Sequence, residues 1–304
     1  MKKISLGLLM LLGTIGNAQS GIQQNEVTRI ETQLASDAME GRGMFTQGIE
    51  KASAFIEGEF KRIGLTNYKE LTSYSQSFLI EGKKANNVIG IIPGKSKSNE
   101  YVIFSGHYDH LGMKESGEDK IFNGANDDAS GITAVITLAE YFKKKNDNAR
   151  TLIFVAFTGE ETGGYGSAFF SNSINADEVV AMFNIEMIGT ESKWGKKSAY
   201  ITGFERSDFG TILQKNLEGS GFNFYQDPYP QEQLFYRSDN ARLAALGVPA
   251  HTISTSKMDI EPNYHKLSDE VSTLDMDNMT EIIKSIAISS QTIISGKDTP
   301  SRVP

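Results

Sequence analysis

Four histidines and a set of paired carboxylates are the residues of this chain best suited to chemistry. The histidines are His107, His110, His251 and His265. The carboxylates of interest are Asp109, Asp127-Asp128, Glu160-Glu161 and Glu186. The chain has no cysteine, which excludes disulfides, thiolate metal sites and a thiol nucleophile. A metal would therefore have to be held by His and carboxylate. Two adjacent carboxylates after a buried strand repel each other unless a cation or a proton neutralises one. A metal does this directly, with one carboxylate ligating and its neighbour facing the reacting water. A two-metal site goes further: its ions sit roughly 3.5–4 Å apart and commonly share a bridging carboxylate. Each piece also has an ordinary reading. Glu160-Glu161 alone is more often a solvated turn, Asp127-Asp128 can cap a helix starting at Ser130, and His107 can be a satisfied core histidine.

What distinguishes these residues is where they fall. Tyr101–Phe104 is a short continuous apolar run, as a strand buried on both faces requires, and it leads into Ser105-Gly106-His107-Tyr108-Asp109. Thr151–Phe157 is a second such run and ends at Glu160-Glu161. Val179–Ile185 is a third and ends at Glu186. Later, Val248–Ser254 is apolar and Tyr264-His265 follows a short loop. Between the runs lie helical patterns: Gly48–Gly64, Ser130–Lys144 with Ile132, Val135, Ile136, Ala139 and Phe142 on one face, and a helix from about Gly166. Phe78-Leu79 and Asn87–Ile92 read as the first strands, and Leu34–Glu40 as a helix end before the Gly41-Arg42-Gly43 turn. The alternation predicts an α/β fold: a mostly parallel central sheet with helices on both faces. In such sheets ligands bind outside the carboxyl ends of the strands, where these His and acidic residues stand.

The whole chain narrows the classes. It has 304 residues, 39% hydrophobic and 22% charged, enough for one large α/β domain. The net charge of -8 argues against nucleic acid or an anionic lipid surface as partner, and the one basic run, Lys143-Lys144-Lys145, reads as a helix end. Lys2-Lys3, the apolar stretch Ile4–Ile15 and Gly16-Asn17-Ala18 predict a signal peptide over 1–18, leaving 19–304 as a single domain. The mature form would then carry no membrane anchor and would be periplasmic or secreted. The polar tail from Gly296 is expected to fray.

Taken together, the segments SGHYDHLG (105–112), NGANDDASG (123–131), FTGEETGGYGS (157–167), FNIEMIG (183–189) and YHKLSDE (264–270) resemble the zinc aminopeptidase family, which includes bacterial leucyl aminopeptidases and glutamate carboxypeptidase. LASDAMEGRG (34–43) and NVIGIIPG (87–94) extend the resemblance over most of the chain. The resemblance implies two zinc ions per chain, with Asp127 bridging, Glu161 and His265 completing one site, and His107 and Glu186 the other. It implies Glu160 as general base and Asp109 as the acceptor that fixes the His107 ring. Glu186 departs from the family, where Asp commonly precedes Met, and its extra methylene shifts the carboxylate.

The implied activity is that of a metallo-aminopeptidase acting on peptides. Two alternatives remain open: a glutaminyl cyclase using one zinc on the same scaffold, and a non-catalytic binding protein that has kept the fold. His110 is expected to pack in a loop and His251 in the core. Tyr236, Arg237, Ser238, Asp239 and Tyr264 are candidate pocket residues. There is no HExxH and no Gly-x-Ser-x-Gly, and Gly90–Ser96 is one residue short of a phosphate loop.

Overall fold

A computed structural model describes residues 21–304. The expected signal peptide lies outside the described residues. The strands are β1 (Thr66–Asn67), β2 (Ser75–Ile80), β3 (Lys83–Ile92), β4 (Lys97–His107), β5 (Arg150–Phe157), β6 (Val179–Ile185), β7 (Ser198–Ile201), β8 (Asn223–Gln226) and β9 (Ala250–Ser254). They form one sheet in the order β1-β3-β5-β4-β6-β9-β7-β8, with β2 alongside β3. The four central strands, β5, β4, β6 and β9, run parallel. The flanks depart from the expected pattern. β1, β2 and β3 pair antiparallel, and so does β7 against β9. For β2 and β3 the reason is local: only Glu81 and Gly82 join them, both at positive φ, and so tight a hairpin permits only antiparallel pairing.

Alternate residues of the central strands feed two cores. Val102, Phe104, Leu152, Phe154 and Phe183 face one way and Ile103, Ile153, Val155 and Met182 the other. The first core is covered by α1 (Gln24–Leu34), α2 (Gln47–Ile63) and α3 (Ser130–Lys145), and the second by α4 (Tyr165–Ser173). α5 (Phe209–Leu217) and α7 (Met276–Ser289) join the first face, and the short α6 (Asn240–Ala244) the second. Phe104 stacks on Phe154 and Phe183 with centroids 5.5 and 4.9 Å apart. Each buried ring contributes about 1.5–3 kcal/mol, so the sheet centre is a rigid platform.

β4 sits between β5 and β6, so the chain leaves its end towards one side and later returns on the other. This reversal opens a crevice at the carboxyl ends of the strands. The tail does not fray as expected. Val303 is buried, Ser301 bonds the Asp208 carboxylate, and Arg302 donates to the carbonyls of Ala176, Val179 and Leu246. A polar tail stays ordered when its donors find backbone and carboxylate acceptors on the folded body.

Candidate metal centre

The crevice collects the expected residues from five separate segments. His107 is the last residue of β4, Glu160 and Glu161 follow β5, Glu186 follows β6, Asp127 lies in an irregular turn before α3, and His265 follows β9 at φ +57°. His107, Asp127 and Asp109 are almost wholly buried, while the His265 side chain is about one-third exposed.

Backbone clamps hold these segments in place. Asp128 accepts from the N–H groups of His107, Gly131 and Met187, tying the ends of β4 and β6 to the start of α3. Gly106 and Gly131 make room for that carboxylate. A Cβ on Gly131 would lie 2.4 Å from Asp128 Oδ2 and 2.1 Å from the Ile185 oxygen. Asp269 accepts from the N–H groups of Asn126 and Asp127, and so holds the turn that carries Asp127 and not the nearby His265. Buried Arg42 donates to four carbonyls, those of Leu34, Tyr108, Asn123 and Gly124, which bracket the same turn. In the sequence only the Gly41-Arg42-Gly43 turn hinted at this knot.

Asp109 departs from its expected task. Its carboxylate lies 3.9 Å from His107 Nδ1, which instead approaches the Asp109 backbone carbonyl at 3.1 Å. The carboxylate accepts from the N–H groups of Glu160 and Glu161 at 3.2 and 3.3 Å, and so aims the loop carrying the acidic pair. His110 also departs from expectation. Rather than packing in a loop, it lies buried in the centre with Nδ1 2.7 Å from Glu161 Oε1. It lies in the loop three residues past the end of β4, where only tertiary packing sets the side chain's direction. His251 is core, stacked on Phe209 and bonded at both ring nitrogens.

The donor set fits cations. Asp127 Oδ1 is 3.3 Å from His107 Nε2, and Asp127 Oδ2 is 3.2 Å from His265 Nε2. His265 Nε2 is also 3.0 Å from Glu161 Oε2. Two ligand atoms on one tetrahedral zinc stand about 3.3 Å apart, given bonds of ~2.0–2.2 Å. His107 Nε2, Asp127 Oδ2 and Glu186 Oε2 are buried yet have no aligned hydrogen-bond partner. His107, Asp127 and Glu186 converge within 4.8 Å, as do His110, Asp127 and Glu161. Asp127 thus presents one oxygen to each side, with Glu186 converging on the His107 side.

The electrostatics agree. Burial, reinforced by Glu186, Asp239 and Asp109, pushes the Glu160 carboxyl up to about 10. Burial raises Glu186 to about 7 and Asp239 to about 6. Despite burial, the close approach of the His107 and His265 rings holds Asp127 below the usual carboxylate range, and against its own burial His107 is raised by Asp127, Glu160 and Asp128. Buried carboxylates crowded to this degree are neutralised by protons or by cations. Beside them opens a cavity of about 270 Å³ that reaches Glu160 and is walled by Met187, Tyr200, Leu234 and Met258.

Fold and site define an α/β protein with two candidate cation-binding groups that share Asp127 at the carboxyl edge of its sheet. The chain belongs to peptidase family M28, whose model matches residues 87–289. It is 35% identical over 111 residues to a probable zinc metalloprotease of Pyricularia oryzae, a match covering 36% of this chain and 22% of that one. The chain spans between about a fifth and a half of the length of the curated relatives it matches first. Among solved structures, a zinc aminopeptidase from Bacillus subtilis superimposes with TM-score 0.73 at 14% identity, over 94% of this chain and 98% of that one. Porphyromonas gingivalis glutaminyl cyclase superimposes with TM-score 0.72 at 13% identity, over 90% and 99%. At such identities these likenesses show the fold.

Proposed function

We propose that this chain is a two-zinc aminopeptidase, exported after removal of residues 1–18, that hydrolyses N-terminal residues from peptides. The carrying observation is the two-sided use of Asp127, with His107 and Glu186 on one side and Glu161 and His265 on the other. When bound, the zinc ions supply Lewis acidity, activating water and stabilising the oxyanion. The residues of the chain do the rest. Glu160 stands at the cavity wall; bound cations would favour its ionised form, and that carboxylate accepts a proton from the attacking water and passes it to the leaving amine. Asp109 keeps Glu160 and Glu161 in register through their backbone N–H groups. Met187, Tyr200, Leu234 and Met258 offer an apolar wall for the side chain of the N-terminal residue and exclude water from it.

The cyclase reading shares the scaffold, and competent residues on the His107–Glu186 side weigh against a one-zinc centre. The purified mature protein, loaded with zinc, is to be assayed on aminoacyl anilides and on Gln-peptides, with metal counted by mass spectrometry. Two zincs and anilide hydrolysis are expected. One zinc with cyclisation of N-terminal Gln and no hydrolysis would overturn the proposal.

A further inference from the structure

We propose that His110 is a positioning residue of this centre, donating from Nδ1 to Glu161 so that the opposite carboxylate oxygen faces the cation held with His265. The proposal rests on the two-zinc reading above.

The two oxygens of Glu161 have different neighbours. Oε2 stands 3.0 Å from His265 Nε2, whereas Oε1 stands 2.7 Å from His110 Nδ1. A charge-assisted N–H···O contact measures about 2.7–2.9 Å. Two ligand atoms on one zinc stand farther apart, about 3.3 Å. The 2.7 Å contact therefore matches a hydrogen bond from His110 to a ligand, within the same His110–Asp127–Glu161 group that converges within 4.8 Å. His110 Nδ1 is also 3.9 Å from Asp127 Oδ2, beyond hydrogen-bond reach. A ligating carboxylate only accepts, so the 2.7 Å contact is a hydrogen bond in the tautomer that carries its proton on His110 Nδ1.

Both the ring and the backbone of His110 are held. A Cβ on Gly124, itself at φ +56°, would lie 2.5–2.6 Å from His110 Cδ2 and Cγ, so glycine is what lets the turn close over the imidazole. The His110 backbone N–H donates to the Arg42 carbonyl at 3.2 Å, and the Arg42 guanidinium in turn binds the Gly124 carbonyl. The donor that orients Glu161 is thus locked to the turn that carries Asp127. A ligating carboxylate with one oxygen anchored loses less freedom when a cation binds the other, and such outer partners are worth about 10–100-fold in metal affinity.

The test is zinc affinity of the full mature chain, read by competition with a fluorescent chelator, for wild type and for His110→Ala, His110→Asn and His110→Gln. His110→Ala is expected to weaken one of the two zincs by about 10–100-fold, with the other within about threefold. Asn carries its amide N–H near the Nδ1 position and is expected to recover most of the loss. Gln carries its amide near Nε2 and is expected not to. Melting of the metal-free variants reports folding, and if the Ala variant does not fold the Asn–Gln contrast decides. Equal affinities for Asn and Gln, or unchanged affinity in a folded Ala variant, would overturn the role of His110. Failure of the two-zinc reading shows separately, as a wild-type protein that binds fewer than two zincs.

Discussion

Glu160 is the residue on which turnover should depend without metal retention depending on it. Its carboxyl lines the cavity, and its loop is aimed by Asp109 rather than by the metal ligands. Glu160→Gln keeps the shape and removes the proton acceptor, so kcat on an aminoacyl anilide should fall by about 10²–10⁴ while metal analysis still counts two zincs. Turnover within tenfold of wild type would refute the assignment. Most of this grouping was legible because His107, Glu160-Glu161 and Glu186 each follow an apolar run, and because a cysteine-free chain leaves few other donors. His110 was not legible. It lies three residues after His107, in a loop without strand periodicity, and its direction depends on Gly124 and Arg42, which arrive from remote segments. Asp239 was anticipated only as a pocket residue; it is buried, and neither carboxylate oxygen has an aligned partner among the described residues.

Among the elements, the joint between β4, β6 and α3 is made by one carboxylate, Asp128, and two glycines. A methyl group at Gly131 would collide with the Ile185 carbonyl and with Asp128, neither of which can move without breaking the clamp. Gly131→Ala should therefore cost at least about 1–3 kcal/mol, the usual penalty of overpacking, visible as a lower urea midpoint with unchanged slope. An unchanged midpoint would show that the clamp yields. β4, β5, β6, α2 and α3 could be read from the sequence to within a few residues, since each is long and strongly patterned. β7 and β8 went unread because four residues such as Ser198–Ile201 or Asn223–Gln226 carry too little periodicity. α7 was also unread, although Asp275 caps it and Met279, Ile282, Ile283 and Ile286 mark its buried face.

For the molecule as a whole, acid stability depends on groups remote from the cation centre, and His251 is the clearest. Burial against Phe209 and Phe235 lowers it from the ordinary 6.5 to about 4, with Glu205 and Arg206 as the charged groups facing it. The folded chain thus holds this ring neutral while the unfolded chain takes up a proton, so its contribution is complete above pH 6.5 and is lost as pH falls towards 4. Metal-free wild type should lose up to about 3 kcal/mol more than His251→Gln across that window, measured by urea unfolding at each pH. Parallel pH profiles would contradict this. Taken alone, the sequence determined the α/β class, the parallel centre of the sheet and the acidic and histidine residues at its strand ends, because burial on both faces writes long apolar runs and functional loops interrupt them. Tertiary structure alone decided the antiparallel flanks, the docked tail, the work of Asp109 and Asp128 as backbone clamps and the entry of His110 into the centre. Those depend on which carbonyls and N–H groups distant segments leave free to be bonded, and no local pattern records that.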